Sequence, residues 1–493
     1  MAETEFRPLA RVPRGFADRR ARDLAAERRI LEAVAGVYER YGFEQLATPA
    51  FEYADALGKF LPDADRPNEG VFALQDDDEQ WLALRYDLTA PLARFAAENW
   101  QTLPKPFRRY AFGPVWRNEK PGPGRYREFI QCDADTVGSA RPESDAEIVA
   151  MAAEGLEAAG LRRGAYVLKI NDRKLLDGVL DELDVFAPPQ RLAVLRALDK
   201  VDRLGWDGVA LLLGEGRMDE SGAYTKGAGL PSAAIHAILR FASVGAADSR
   251  RGFLDQLGGL TGPFGGQAAL ADLARIDEAL TLMGVGDDRA RFDVSVVRGL
   301  EYYTGPVFEA EMLLEATDER GQPLSFGSVG GGGRYDDLVA RFTGEQVPAT
   351  GFSFGVSRLA AALRAAGVAP AGEGRGPVVV IAFDQAAMAE YFAAAAELRR
   401  AGIPAEVYLG ASGMRAQMKY ADRRLSPAAV ILGGDELAAG TVTIKDLDLG
   451  RELAAGLKDN TAWRTERPGQ LTVPRADLVT AVRRIVEGAA VGV

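Results

Sequence analysis

The sequence predicts an α+β protein: an antiparallel sheet flanked by helices, interrupted by a helical insertion and followed by a separate C-terminal α/β domain. Three observations predict it. Strand-like segments on either side of the Pro/Gly loop Pro121–Gly124 read as one long hairpin. Residues of about 184–275 are helix-rich and polar and carry no chemistry-bearing motif, the mark of an inserted domain. After the Gly/Ala/Pro-rich run Arg364–Pro377, short apolar runs alternate with helical segments, as strands buried on both faces of a sheet do.

In chain order, Leu24, Ile30, Leu31, Val34, Val37, Tyr38 and Tyr41 recur at helical spacing between Asp18 and Tyr41, giving a helix with one apolar face. Gly42 ends it, and Phe43–Phe51 follows with Pro49, a residue tolerated at a sheet edge or bend. Val167–Asp172 reads as a strand, and alternation resumes at Phe292–Val296 and again at Val307–Met312, read as a second antiparallel pair. Val378–Phe383, Ala405–Leu409, Ala429–Leu432 and Thr441–Lys445 are the strands of the C-terminal domain. The expected boundaries are a main domain at 1–370, a linker at 371–377 and an α/β domain at 378–493.

A chain of 493 residues exceeds what one core usually supports, and 47% hydrophobic with 26% charged residues is ordinary for a soluble fold. No secretory leader and no membrane-spanning apolar run is read, so a cytoplasmic protein is expected. One cysteine, Cys132, excludes an internal disulfide, and with one histidine, His236, there is no zinc site of Cys/His type, so any metal must be held by carboxylates and substrate phosphates. A Cys–His pair has no material, and His236, in the helical run SAAIHAILRFA, reads as a packed or half-exposed helix residue. The net charge of −12 leaves room for local basic surface at Arg108-Arg109, Arg125 with Arg127, and Arg415, Lys419, Arg423 and Arg424. Each such cluster, taken alone, reads as a solvated face.

Two phosphate-binding patterns fail. Gly330–Gly333 is followed by Arg334-Tyr335, without the Lys-Ser/Thr of a P-loop, and does not fit G-x-G-x-x-G. A strand whose backbone passes close to a ligand fits it better. Arginines are placed to supply charge instead: Arg117 and Glu119 precede the hairpin loop, and Arg125, Arg127 and Phe129 follow it. A guanidinium can fork onto two phosphate oxygens, a carboxylate can accept from an adenine amino group, and a ring can stack on the base.

Together, Trp116–Phe129 (WRNEKPGPGRYREF) resembles motif 2 of the class II aminoacyl-tRNA synthetases, in the wording of the histidyl-tRNA synthetases. Pro49 stands where motif 1 has its proline. Arg85–Thr89 (RYDLT) resembles a histidine-binding stretch, Gln131–Asp135 (QCDAD) the strand under the substrate, and Arg298–Tyr303 (RGLEYY) the histidine-specific motif, with Glu301 where the family commonly writes aspartate. Gly332–Asp336 and Gly351–Leu359 resemble the glycine strand and motif 3.

This resemblance covers nearly the whole chain and implies a class II antiparallel sheet and a C-terminal anticodon-binding domain. It also implies a homodimer that activates L-histidine with ATP and Mg2+ and transfers it to the 3′ end of tRNA(His). Carried over by position, Asp87, Thr89 and Gln131 would hold the substrate ammonium, and Asp135, Tyr302 and Tyr303 its imidazole. Arg117 and Arg298 would hold the α-phosphate, Arg125 the γ-phosphate, and Arg358 the γ-phosphate or adenine, with Glu119 and Phe129 on the base. Some relatives only regulate ATP phosphoribosyltransferase; Arg117, Arg298, Arg358 and the C-terminal domain set this chain apart from them.

Overall fold

The computed structural model describes residues 8–60, 70–121, 126–218, 222, 224–244, 248–260, 266–296, 303–314, 316–317, 323–324, 326–368, 374–456 and 469–487. It divides into two compact units, one built on residues 26–369 and the other on residues 370–493.

In the first unit the helix α1 (Ala21–Arg40) buries Ala26, Ile30, Val34, Val37 and Tyr38 along one face. Short strands follow: β1 (Glu44–Gln45), β2 (Phe51–Tyr53), β3 (Ala73–Gln75) and β4 (Trp81–Leu84), then the helix α2 (Thr89–Asn99). The hairpin expected from the sequence is β5 (Phe107–Trp116) with β6 (Glu128–Val137), antiparallel along its length from Phe107 opposite Val137 to Trp116 opposite Glu128. Then come α3 (Pro142–Ala158), β7 (Tyr166–Asp172) and α4 (Arg173–Glu182). The inserted stretch holds α5 (Pro188–Leu198), α6 (Val201–Leu213), the small hairpin β8 (Gly216–Met218) and β9 (Tyr224–Lys226), α7 (Ser232–Ala242), α8 (Arg250–Leu260) and α9 (Gln267–Leu282). His236 lies exposed on α7.

The chain returns to the sheet through β10 (Ala290–Phe292), β11 (Pro306–Met312), the short pair β12 (Ala316–Thr317) and β13 (Pro323–Leu324), the glycine strand β14 (Ser328–Arg334), α10 (Ala340–Thr343), β15 (Ala349–Gly355) and α11 (Val356–Ala365). The eight strands run in the order β1-β5-β6-β15-β14-β11-β7-β10. All inner pairings are antiparallel; only the two edges, β1 on β5 and β10 on β7, are parallel.

One expectation is corrected. Phe292–Val296 and Val307–Met312 do not pair with each other; β10 and β11 lie on opposite sides of β7. Alternation identifies which residues share a face of a strand, not which strand lies beside it.

Alternation also separates the two faces of the sheet. Cys132 and Ala134 of β6, Phe352 and Phe354 of β15, Phe308 and Ala310 of β11 and Leu168 and Ile170 of β7 point into the main core with α1, α3 and α11. The intervening residues Gln131, Asp133 and Asp135 therefore belong to the opposite face.

The second unit carries β16 (Val378–Ile381), α12 (Met388–Arg400), β17 (Ala405–Val407), α13 (Met414–Arg423), β18 (Ala428–Ile431), α14 (Gly434–Ala439), β19 (Thr441–Asp446), α15 (Leu447–Gly456), β20 (Gln470–Pro474) and α16 (Leu478–Val486). The four expected strands are present, and β20 is added to them. The order is β17-β16-β18-β19-β20, parallel for the first three and antiparallel beyond. Val378–Ile381 and Ala428–Ile431 are buried throughout, which accounts for their unbroken apolar sequence.

Candidate active site

Strand register assembles the site. Opposite Asp133 stand Ala111 and Ser353, and Ser353 in turn faces Gly331; opposite Asp135 stand Arg109 and Gly351, and Gly351 faces Gly333. Thr89, Asp133, Asp135, Tyr303, Gly331, Gly332, Tyr335, Gly351, Phe352 and Ser353 line a recess of about 210 Å³. A second recess, lined mainly by apolar side chains including Leu176, Leu198, Trp206 and Phe241, lies apart from these groups.

The floor of the recess is glycine because nothing else fits. A Cβ on Gly332 would fall 2.0 Å from the Gly351 carbonyl oxygen, and one on Gly351 would fall 1.9 Å from Asp135 Oδ1. Gly333 sits at φ 155 with the Tyr303 ring 2.9 Å from where its Cβ would be. The run that failed as a phosphate loop is thus a strand packed closely against neighbouring backbone and the rings of Phe352 and Tyr303.

Three carboxylates converge here. Asp87 accepts N–H bonds from Thr89 (3.1 Å) and Ala90 (2.9 Å), which closes the first turn of α2. Burial pushes its pKa up, opposed by those N–H groups and by Arg117. Asp133, 2% exposed, is pushed up to about 8 by burial and then by the neighbouring Asp135 charge. Asp135 is also raised by burial, opposed by Arg109 and by the Tyr335 hydroxyl, which donates to its Oδ1. Arg109 Nη2 lies 3.0 Å from Asp135 Oδ2 and donates to the Leu88 carbonyl at 2.8 Å. Gln131 Nε2 donates to Ser353 Oγ at 2.7 Å, and its Oε1 is buried with no partner among the described residues. Such a recess suits a ligand rich in donors and positive charge.

Beyond Gln131 the chemistry changes. Phe129 follows on the same face of β6, and the Arg117 guanidinium lies over its ring at 5.1 Å. Arg117 Nε is held by the Tyr86 carbonyl at 3.2 Å. Glu119 is exposed, and its carbonyl accepts from Arg127 Nε at 2.9 Å. Arg358, on the first turn of α11, donates to the Ser328 carbonyl at 2.9 Å.

Of the residues singled out from the sequence, Thr89, Asp135 and Tyr303 line the recess, and Asp87 and Gln131 stand at its border. Arg117, Glu119, Phe129 and Arg358 lie beyond them. Arg125, Arg298 and Tyr302 lie outside the described residues. The sequence reading missed Asp133, Ser353, Tyr335 and Arg109. The period-two spacing of Gln131, Asp133 and Asp135 carried the signal for Asp133. Arg109 was hidden by its neighbour: read as part of a basic surface doublet, it is 0% exposed, because consecutive strand residues face opposite ways.

Comparison with known proteins agrees with this geometry. A family model for histidyl-tRNA synthetase matches residues 15–359, and one for an anticodon binding domain matches residues 377–484. The chain is 71% identical over 486 residues to a histidine–tRNA ligase of Caulobacter vibrioides, covering 98% of each chain. It is 54% identical over 495 residues to that of Brucella ovis, covering 99% of this chain and 98% of the relative. The crystal structure of histidyl-tRNA synthetase from Nostoc sp. PCC 7120 is similar with a TM-score of 0.73 at 28% identity, covering 97% of this chain and 100% of that one.

Proposed function

The chain belongs to the histidyl-tRNA synthetase family and is a histidine–tRNA ligase, which takes histidine, ATP and tRNA as substrates; on that premise we propose how its residues divide the work. The observation that carries the proposal is the ladder Phe129, Gln131, Asp133 and Asp135 on one face of β6. It runs from a ring to a carboxylate over about 20 Å at two residues per step, the reach of an amino acid joined through a phosphate to a nucleoside.

At the Asp135 end, Asp135, Tyr302 and Tyr303 take the imidazole, which when neutral has one donor and one acceptor. Asp87, Thr89 and Gln131 take the ammonium. At the Phe129 end, Phe129 and Glu119 take the adenine, Arg117 and Arg298 the α-phosphate, Arg125 the γ-phosphate, and Arg358 the γ-phosphate or the base. The histidine carboxylate attacks the α-phosphorus in line, and pyrophosphate leaves with the bonding electrons. A carboxylate nucleophile has no proton to lose, so the arginines act by holding charge and geometry. The terminal ribose hydroxyl of the tRNA then attacks the adenylate carbonyl and AMP departs.

Magnesium would come with the nucleotide and would supply positive charge to its phosphates, needing few protein ligands. Residues 1–370 carry catalysis, with the insertion at about 184–275; 371–377 is the linker and 378–493 binds the anticodon arm. Two chains form a homodimer; its support is the apolar face of the small sheet β2-β4-β3, where Phe51, Tyr53 and Leu74 are 43%, 58% and 46% exposed. The protein works in the cytoplasm, where its tRNA is; among the described residues no helix is long and apolar enough to cross a membrane.

Pyrophosphate exchange into ATP tests the assignment. Asp135→Asn raises the KM for histidine and spares that for ATP, Phe129→Ala does the reverse, and Arg298→Ala lowers the rate about a hundredfold or more without moving the unfolding midpoint. Exchange supported by another amino acid, or the same KM pattern in the first two variants, overturns it.

A further inference from the structure

Arg109 is the largest fully buried side chain among the described residues, and a buried guanidinium demands a reason. It stands opposite Asp135 across the β5–β6 pair, with Nη2 3.0 Å from Asp135 Oδ2 and 2.8 Å from the Leu88 carbonyl oxygen. Leu88 lies between Asp87 and Thr89. One side chain therefore joins the carboxylate assigned to the imidazole with the segment assigned to the ammonium.

We propose that Arg109 is a positioning residue for histidine recognition, fixing the place and charge of Asp135 and locking it in register with the Asp87–Thr89 segment. The inference rests on the assignment of Asp135 to the imidazole made above.

Among the described residues, the groups around Asp135 bear on its charge. Arg109 faces it from β5, Asp133 precedes it on β6, Ser353 comes from β15, Tyr335 follows β14, Tyr303 precedes β11, and Asp87 and Thr89 stand at the start of α2; Tyr38 and Cys132 lie on the core side. Asp133, pushed up to about 8, is neutral near pH 7. Among the described residues Arg109 is the positive charge paired with Asp135, the carboxylate that must stay acceptor-only, while buried Arg85 acts on Asp133 and on Arg109. An ionised Asp135 takes an N–H from the imidazole and offers no donor of its own. Protonated, it would present a donor on one oxygen and lose that selectivity. A buried ion pair contributes little net stability compared with apolar packing, so its presence fits a role in specificity.

The test measures kcat and KM for histidine and for ATP in pyrophosphate exchange, across pH, for Arg109→Met, Arg109→Lys, Asp135→Asn and the doubles Arg109→Met/Asp135→Asn and Arg109→Lys/Asp135→Asn. Arg109→Met should raise the histidine KM by about tenfold or more with the ATP KM unchanged. It should also move the acidic limb of kcat/KM for histidine to higher pH, because Asp135 loses the charge that opposes its protonation. Free histidine titrates alike in both assays and cancels. Arg109→Lys, which keeps the charge and has a single nitrogen for two acceptors, should fall between. On the Asp135→Asn background neither substitution should raise the histidine KM further.

Should Arg109→Met fail to fold, the lysine variant and the doubles, in which the carboxylate charge is gone, carry the same comparison. An unchanged histidine KM in folded Arg109 variants, equal losses for ATP, or additive losses in the doubles would overturn the inference. If Asp135→Asn itself leaves the histidine KM unchanged, it is the underlying assignment of Asp135 that fails.

Discussion

Gln131 donates its Nε2 to Ser353 Oγ at 2.7 Å, and that bond decides which end of the amide is left to accept. With the nitrogen engaged, Oε1 remains buried and without a partner among the described residues, suited to an ammonium. Without the hydroxyl the amide can turn and present its NH2, which opposes a cation. Ser353→Ala should raise the histidine KM about fivefold, the ~1 kcal/mol of one hydrogen bond, with kcat and the ATP KM little changed. Pyrophosphate exchange at varied histidine reads this directly, and an unchanged KM would mean the amide is oriented by something else.

Gly351 and Gly332 should fail in different ways. A methyl on Gly351 collides with Asp135 Oδ1 at 1.9 Å and with the Ala134 carbonyl at 2.8 Å, so the carboxylate must move. Gly351→Ala is expected to cost histidine binding about a hundredfold in a protein that still folds, since a carboxylate displaced by an ångström loses its alignment. A methyl on Gly332 instead meets the Gly351 carbonyl at 2.0 Å and the Phe352 Cα at 2.8 Å, backbone that cannot yield without parting β14 from β15. Gly332→Ala should therefore lower the unfolding midpoint as well as activity. Thermal unfolding beside exchange kinetics separates the two.

Much of this was legible in the sequence. Alternation and the Pro/Gly loop marked the β5–β6 hairpin, and unbroken apolar runs marked the core strands of the second unit. Two things were not. Strand partners depend on tertiary packing, which is why β10 and β11 were placed side by side when β7 lies between them. Buried charge was also invisible: Arg109 and Arg334 look like surface arginines in the sequence, and only the tertiary packing that sets each against a carboxylate reveals otherwise. The chemistry-bearing residues were easier to find than their supports, because a ligand demands particular functional groups whereas a support only needs to be in reach.

Asp133 predicts an unusual dependence of stability on pH. Its folded pKa of about 8 lies above the ordinary carboxylate value, so its favourable contribution is whole below about pH 4 and is lost as pH rises through about 8. Asp133→Asn removes a group that must ionise while buried. The unfolding midpoint of the variant, relative to the parent protein, should climb between about pH 5 and pH 8, by several degrees in all, and level off above that. A difference that stays flat over that window would show that Asp133 is already ionised in the folded protein throughout it.

Arg334 ends the glycine strand and is engaged in an internal ion pair. Its guanidinium is 5% exposed, paired with Asp145 at the start of α3, and donates to the Ser139 carbonyl at 2.9 Å and the Arg141 carbonyl at 3.2 Å. It fastens the end of β14 to the first turn of α3. Asp145→Ala leaves that charge buried and should cost about 3–5 kcal/mol of stability, whereas changing both residues to apolar ones should cost far less. Denaturant midpoints of the two single variants and the double settle the comparison; equal losses in all three would refute it.

The basic residues of the second unit do not act alike. Arg415, Lys419 and Arg423 are exposed along α13, while Arg424, just past its end, turns to Glu406 with Nε 3.2 Å from Oε1 and Nη2 3.3 Å from Oε2. A charge already paired attracts phosphate less than an unpaired one, and three cations on one helix are spaced to follow a nucleic-acid backbone. The combined change Arg415→Glu with Lys419→Glu should raise the KM for tRNA about tenfold or more and flatten its dependence on salt, since each lost phosphate contact removes roughly one unit of slope. Pyrophosphate exchange, which needs no tRNA, should be untouched. Arg424→Ala should have a much smaller effect on tRNA, because what it removes is chiefly an internal pair. If Arg424→Ala proves as damaging as the double reversal, the helix is not the contact surface and the loss comes from the fold of the unit.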